Sequence, residues 1–174
     1  SGNFTEVSGT PFEGVFGSSI AFADVDGDSD QDVLITGSSN SGLIAKLYTN
    51  DGSGNFIEVT GTPFDGVYLC SIVFADVDGD SDQDVFITGR NSSFQHIAKL
   101  YTNDASGNFS LVSGMPFEGV EDGSIAVADI DSDNDPDVII TGENNVGEPI
   151  SKLYRNITNQ VQWTGAIDTD WNNT

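Results

Sequence analysis

The chain has 174 residues, sized for one domain or for part of a larger one, with 28 acidic against 5 basic residues and a net charge of −23. That charge argues against nucleic acid or an anionic membrane surface as a partner, and no apolar run reaches the length needed to span a membrane as a helix. A hydrophobic share of 37% with 11 Phe is too rich for a disordered acidic chain, and the single cysteine, Cys70, excludes an internal disulfide; bound metal is the expected staple.

Reading from the start, Ser1-Gly-Asn-Phe-Thr-Glu-Val recurs as Ser53-Gly-Asn-Phe-Ile-Glu-Val and as Ser106-Gly-Asn-Phe-Ser-Leu-Val. Three units, 1–52, 53–105 and 106–157, fill the chain to about residue 157. In the first unit four short strands are expected. They are Phe4 to Val7, ending at the Gly-Thr-Pro-Phe turn, then Ser19 to Ala23, Val33 to Thr36, and Ala45 to Thr49, closed by Asn50-Asp51-Gly52. No stretch has sustained helical periodicity, so the fold class is all-β. The runs Ile20-Ala-Phe-Ala23 and Val33-Leu-Ile35 are apolar on both faces, as in strands covered on both sides. Four strands per unit of this length is the arithmetic of a β-propeller blade.

Between the second and third strands lies Asp24-Val-Asp26-Gly-Asp28-Ser-Asp30-Gln-Asp32. It returns as Asp76, Asp78, Asp80, Asp82 and Asp84, and as Asp129, Asp131, Asp133, Asp135 and Asp137. Five carboxylates at alternate positions repel one another unless a cation lies among them. Calcium takes six to eight oxygen ligands at about 2.3–2.6 Å from a curled segment of this kind. Positions 1, 3, 5 and 9 of each run are expected to supply side chains, and position 7 a backbone carbonyl. An EF-hand is a weaker match, because the Gly at position 6 and the Glu at position 12 are missing and the flanks are strand-like. The competing reading is an acidic solvated turn without metal; three copies at one spacing favour the ion, about one per repeat.

The pattern Ile-Ala-Phe-Ala-Asp-Val-Asp-Gly-Asp-x-Asp-x-Asp-Val, with Lys-Leu-Tyr-x-Asn downstream, resembles the FG-GAP/VCBS repeat, related to the blades of integrin alpha-subunit propellers. The resemblance covers residues 1 to about 157. It implies one calcium per blade, in the hairpin between a blade's two inner strands, and a secreted, extracellular or surface-anchored parent protein. Ser29, Ser81 and Asn134 stand where the family usually has Gly, and the literal Phe-Gly and Gly-Ala-Pro elements are absent. Beginning at Ser1, the chain reads as a processed or excised piece. Residues 158–174 break the repeat, and Trp163 belongs either to a linker or truncated following module, or to a tail packed on a blade edge.

The units diverge at Phe16, at Tyr68 with Leu69, and at Glu121, and in the connectors that carry Arg90, Phe94, Gln95 and His96. In an up-and-down blade these positions share the face opposite the calcium hairpins. They are therefore the candidate ligand face, for a protein or glycan, weighed against ordinary drift in surface loops. Catalysis has little support. His96 reads as a solvated loop residue, Cys70 as a small semi-buried thiol, and Lys46, Lys99 and Lys152 as partners of nearby acids. The expectation is a noncatalytic adhesion or recognition module. The alternatives are a spacer or self-assembling unit of an extracellular filament and a carbohydrate-binding accessory domain. The chain starts with a blade's outermost strand and ends after another blade's third, so Phe4 to Val7 is expected to complete a blade supplied from elsewhere, by self-association or by missing sequence.

Overall fold

The computed structural model describes residues 1–157 and is entirely β. The first blade comprises β1 (Phe16–Ala23), β2 (Asp32–Ser39), β3 (Gly42–Asn50) and β4 (Phe56–Val59), antiparallel in the order β1-β2-β3-β4. The second comprises β5 (Val67–Ala75), β6 (Asp84–Asn91), β7 (His96–Thr102) and the two-residue β8 (Ser110–Leu111). The third has β9 (Val120–Ala128), β10 (Asp137–Asn144) and β11 (Pro149–Tyr154). A single bridge, Ile97 to Val120, links the second blade to the third. Among the described residues no sheet closes on itself. The last strand of each complete blade comes from the next sequence repeat, so blades are offset from the 52-residue units.

Apolar side chains hold the blades together face to face. Val25, Leu34 and Leu47 of the first blade bury against Val67, Ile72, Val85 and Tyr101 of the second. One repeat later Val77, Phe86 and Leu100 meet Val120, Ile125 and Val138. Each such side chain contributes about 1.5–3 kcal/mol when fully buried. Both faces of β2 and β6 are covered, which explains their continuous apolar runs.

Two expectations need correction. Phe4 to Val7 forms no strand, and Phe4 is 98% exposed, because no described segment presents a ladder to it. The apolar run of β1 is covered on one side only. Ile20 is 57% exposed where its counterparts Ile72 and Ile125 are 8% and 7%, since each of those has a preceding blade against it and Ile20 has none. The readings of residues 158–174 and of Trp163 fall outside the described residues.

Polar groups repeat the joint. Asn103 Nδ2 donates to the Val25 carbonyl and Asn156 Nδ2 to the Val77 carbonyl, both at 2.7 Å, each reaching into the preceding blade's acidic loop. Ser19 Oγ accepts the Ile72 N–H at 3.1 Å, and Ser71 Oγ that of Ile125 at 3.2 Å. Asn50 has no preceding loop to reach and donates instead to Gln31 of its own blade.

Candidate metal centres and the opposite face

The hairpin between β1 and β2 curls because its own aspartates recruit its backbone. Asp24 accepts the N–H groups of Gly27 at 2.8 Å and Ser29 at 2.9 Å. Asp76 does the same with Gly79 and Ser81, and Asp129 with Ser132 and Asn134. These turns force left-handed backbone at positions 4 and 6, with φ of 77° at Gly27 and 74° at Ser29. Ser81 at 78° and Asn134 at 69° follow suit. A serine side chain is strained there, so Ser29→Gly and Ser81→Gly are each expected to gain about 0.5–1 kcal/mol, net of the freedom glycine adds to the unfolded chain. Chemical denaturation checks this; a loss of stability in both variants would contradict the strain.

The ninth residue of each loop is the fastener. Asp32 is fully buried and accepts the Val25 N–H at 3.0 Å and the Asn50 N–H at 2.9 Å, tying the loop to the end of β3. Asp84 grips Val77 and Asn103 in the same way, and Asp137 grips Ile130 and Asn156.

Carboxylate oxygens of Asp24, Asp26 and Asp32 lie within 4.8 Å of one another, as do those of Asp76, Asp78 and Asp84, and of Asp129, Asp131 and Asp137. Asp28, Asp80 and Asp133, expected as side-chain ligands, stand outside these trios; each accepts the N–H two residues on, from Asp30, Asp82 and Asp135. Asp30 turns its carboxylate toward Gly52.

Burial, reinforced by neighbouring acids, raises the pKa values of Asp26 and Asp78, and burial pushes Asp84 up to about 6 against its two backbone hydrogen bonds. Intrachain cations do little to relieve this. Lys46 pairs with Glu13 and Glu58, Lys99 with Asp65, Lys152 with Glu118, and Arg90 with Glu121. Those three lysines thus behave as expected, facing the equivalent acids Glu13, Asp65 and Glu118. Of the five Lys and Arg residues, Arg155 is the one placed at a loop, 3.2 Å from Asp131. An all-oxygen, negatively charged trio suits a hard divalent cation.

At the other end of the strands, Phe16 pairs with Ser38, Tyr68 with Arg90, and Glu121 with Glu143, whereas Ala23 and Asp32 pair at the loop end. A bulge with left-handed backbone follows each of the first residues, at Gly17, Leu69 and Asp122, with φ of 55°, 49° and 49°. It aims Phe16, Tyr68 and Glu121 along one strip. Phe16 meets Tyr68 edge to face at 5.9 Å, and the Arg90 guanidinium stands 5.2 Å over Tyr68 and 5.9 Å from Phe94. Glu121 pairs with Arg90 Nε at 3.0 Å, outside hydrogen-bond alignment, and with His96 Nε2 at 3.4 Å. His96 Nδ1 also meets the Glu143 carbonyl at 3.0 Å, so it is a blade-to-blade tie rather than a solvated loop residue; the arriving third blade covers it. Gln95 closes its turn by accepting the Asn91 N–H at its carbonyl and donating its own N–H to Asn91 Oδ1. Cys70 is half-buried beside Thr36 and the Gly17 carbonyl, its thiol pKa raised by burial.

Sequence reasoning passed over the interblade asparagines Asn103 and Asn156. The signal was the residue closing each Leu-Tyr-x-Asn element.

Repeated antiparallel blades, each carrying an acidic trio on its first hairpin, define a propeller-type repeat module with candidate cation loops. The chain belongs to the FG-GAP-like repeat family, whose model matches residues 24–87 and again 76–140. No curated protein matches the chain significantly.

Proposed function

We propose that the chain is a calcium-stabilised, noncatalytic recognition segment of an extracellular β-propeller. The observation that carries this is the threefold recurrence of one acidic trio whose charge is largely unmatched within the chain. When bound, calcium supplies charge neutralisation and cross-links the start of each loop to its end. Asp24, Asp26 and Asp32 would hold it in the first blade, with the equivalent trios in the others, and the backbone carbonyls of Asp30, Asp82 and Asp135 would add oxygen donors. Extracellular calcium modules work at Kd values of about 10⁻⁴–10⁻³ M, where the ion is abundant.

The ligand face is the strip of Phe16, Tyr68, Leu69, Arg90, Phe94, Gln95, His96 and Glu121. Its aromatic rings and its Arg90 and Glu121 pair suit a polar partner with an apolar patch, a protein loop or a glycan. Calorimetric titration with CaCl₂ is expected to fill about three sites. A tenfold excess over Kd adds about 1.4 kcal/mol per site by mass action, and the melting midpoint rises by on the order of 10 °C for three sites. No heat and an unmoved midpoint would reject the ion. Glycan and protein arrays probed in calcium, with Arg90→Ala alongside, test the face; signals equal for both chains would reject it.

A further inference from the structure

Each complete blade seats an aromatic triad at its outer margin. In the first, Phe12 packs on Tyr48 at 5.2 Å and on Phe56 at 5.0 Å. In the second, Phe64 packs on Tyr101 at 5.1 Å and on Phe109 at 5.0 Å, with matching tilts. The third blade has the first two rings, Phe117 and Tyr154 at 5.1 Å, and among the described residues no third. In its place is a cleft of about 460 Å³, lined by Val77, Phe86, Leu100, Phe117, Val138 and Tyr154 among others. These are the counterparts of Val25, Leu34, Leu47, Phe64, Val85 and Tyr101, the cluster that Phe109 joins one blade earlier, where it is 8% exposed. The cleft is a socket shaped for the phenylalanine of an outer strand.

That strand motif occurs three times in the chain, and two copies are used, as β4 and as the Phe109 to Leu111 segment. The third is Ser1-Gly-Asn-Phe4-Thr-Glu-Val7, in which Phe4 is exposed and unpaired in strand. The chain's own next segment carries no phenylalanine at that spacing: six residues beyond Asn50 and Asn103 stand Phe56 and Phe109, but six beyond Asn156 stands Gln162. We propose that Ser1 to Val7 of a second copy of this chain pairs with β11 and inserts Phe4 into this socket.

The rest of the joint is prepared at both ends. The third blade leaves Ile130, Ile139 and Leu153 exposed where Val25, Leu34 and Leu47 are buried, and the first blade leaves Ile20 and Phe22 exposed. Docking one on the other repeats the interface already present twice. Asn50 would reach the Ile130 carbonyl as Asn103 reaches that of Val25, and Ser124 would stand to Ile20 as Ser71 stands to Ile125. Gly14 fits the same pattern. A Cβ on Gly66 would lie 2.3 Å from the Leu43 carbonyl oxygen and one on Gly119 2.0 Å from that of His96, but one on Gly14 meets nothing. Two identical joints related by a two-fold axis make a closed six-bladed ring from two chains.

Light scattering and sedimentation of the 174-residue chain in calcium test this. At about 100 µM, far above a Kd of about 1 µM, the expected mass is twice the 18.4 kDa of one chain. Phe4→Ala and Gly14→Ala, both at positions without contacts that the monomer needs, are each expected to weaken association by at least roughly tenfold. A wild-type monomer at this concentration overturns the proposal. So does a dimer indifferent to Phe4→Ala.

Discussion

Replacing Asp84 by alanine is expected to destabilise the chain by about 3–5 kcal/mol in calcium, the largest effect of any single aspartate in the second blade. Two losses combine. The carboxylate accepts the Val77 N–H at 3.0 Å and the Asn103 N–H at 2.9 Å, and both donors lose their partner in a region where Asp84 itself is fully buried. Leaving each unsatisfied costs about 1–3 kcal/mol. The trio with Asp76 and Asp78 also loses a member, so part of the penalty should vanish when EGTA removes calcium from both proteins. Asp84→Asn separates the two losses, because it keeps one acceptor oxygen while halving what the loop offers an ion. Asp80→Ala addresses a different point. Asp80 lies outside the trio, and if it touches no ion its removal should leave calcium affinity within about threefold, less than 1 kcal/mol. Urea unfolding followed by circular dichroism, with and without calcium, reads all three. Equal stabilities for Asp84→Ala and wild type would refute the fastening role.

The fold and its acidic loops were legible because both are written locally. Apolar runs of strand length, glycine-rich turns and an Asp at every second position need no knowledge of what lies across the sheet, and repetition gave three readings of each. What escaped depends on neighbours. Ile20 and Ile72 occupy the same place in the same motif, yet one is exposed and the other buried, because burial there is conferred by the preceding blade. His96 looked like a solvated loop residue because Glu121 and the Glu143 carbonyl, which hold it, lie in the third blade. The alternation of the aspartates pointed to side-chain ligands at positions 1, 3, 5 and 9, and the turn brings the carboxylates of positions 1, 3 and 9 within 4.8 Å of one another while position 5 accepts the N–H two residues on.

Gly119→Ala is the second change expected to have a large effect, and it probes the coupling between blades rather than the loops. The residue precedes β9, where the chain crosses from the second blade to the third, and an added Cβ would sit 2.0 Å from the His96 carbonyl oxygen and 2.9 Å from the Ile97 Cα. Those atoms are backbone, so no side-chain rotation relieves the clash. The blades must separate at the one point where they share a ladder bridge, Ile97 to Val120. Overpacking of this kind costs about 1–3 kcal/mol and occasionally more, and backbone against backbone belongs at the upper end. In an array where each unit touches only its neighbours, stability is a sum of blade and interface contributions. Weakening one interface should therefore broaden the unfolding transition and release the third blade first. Gly66→Ala, 2.3 Å from the Leu43 carbonyl oxygen, should do the same between the first and second blades. Gly14→Ala should leave the unfolding of an isolated chain unchanged. Amide hydrogen exchange checks the series: in Gly119→Ala, protection should fall in β9 to β11 while β1 to β3 keep theirs, and a uniform loss across all three blades would show that they unfold as one unit.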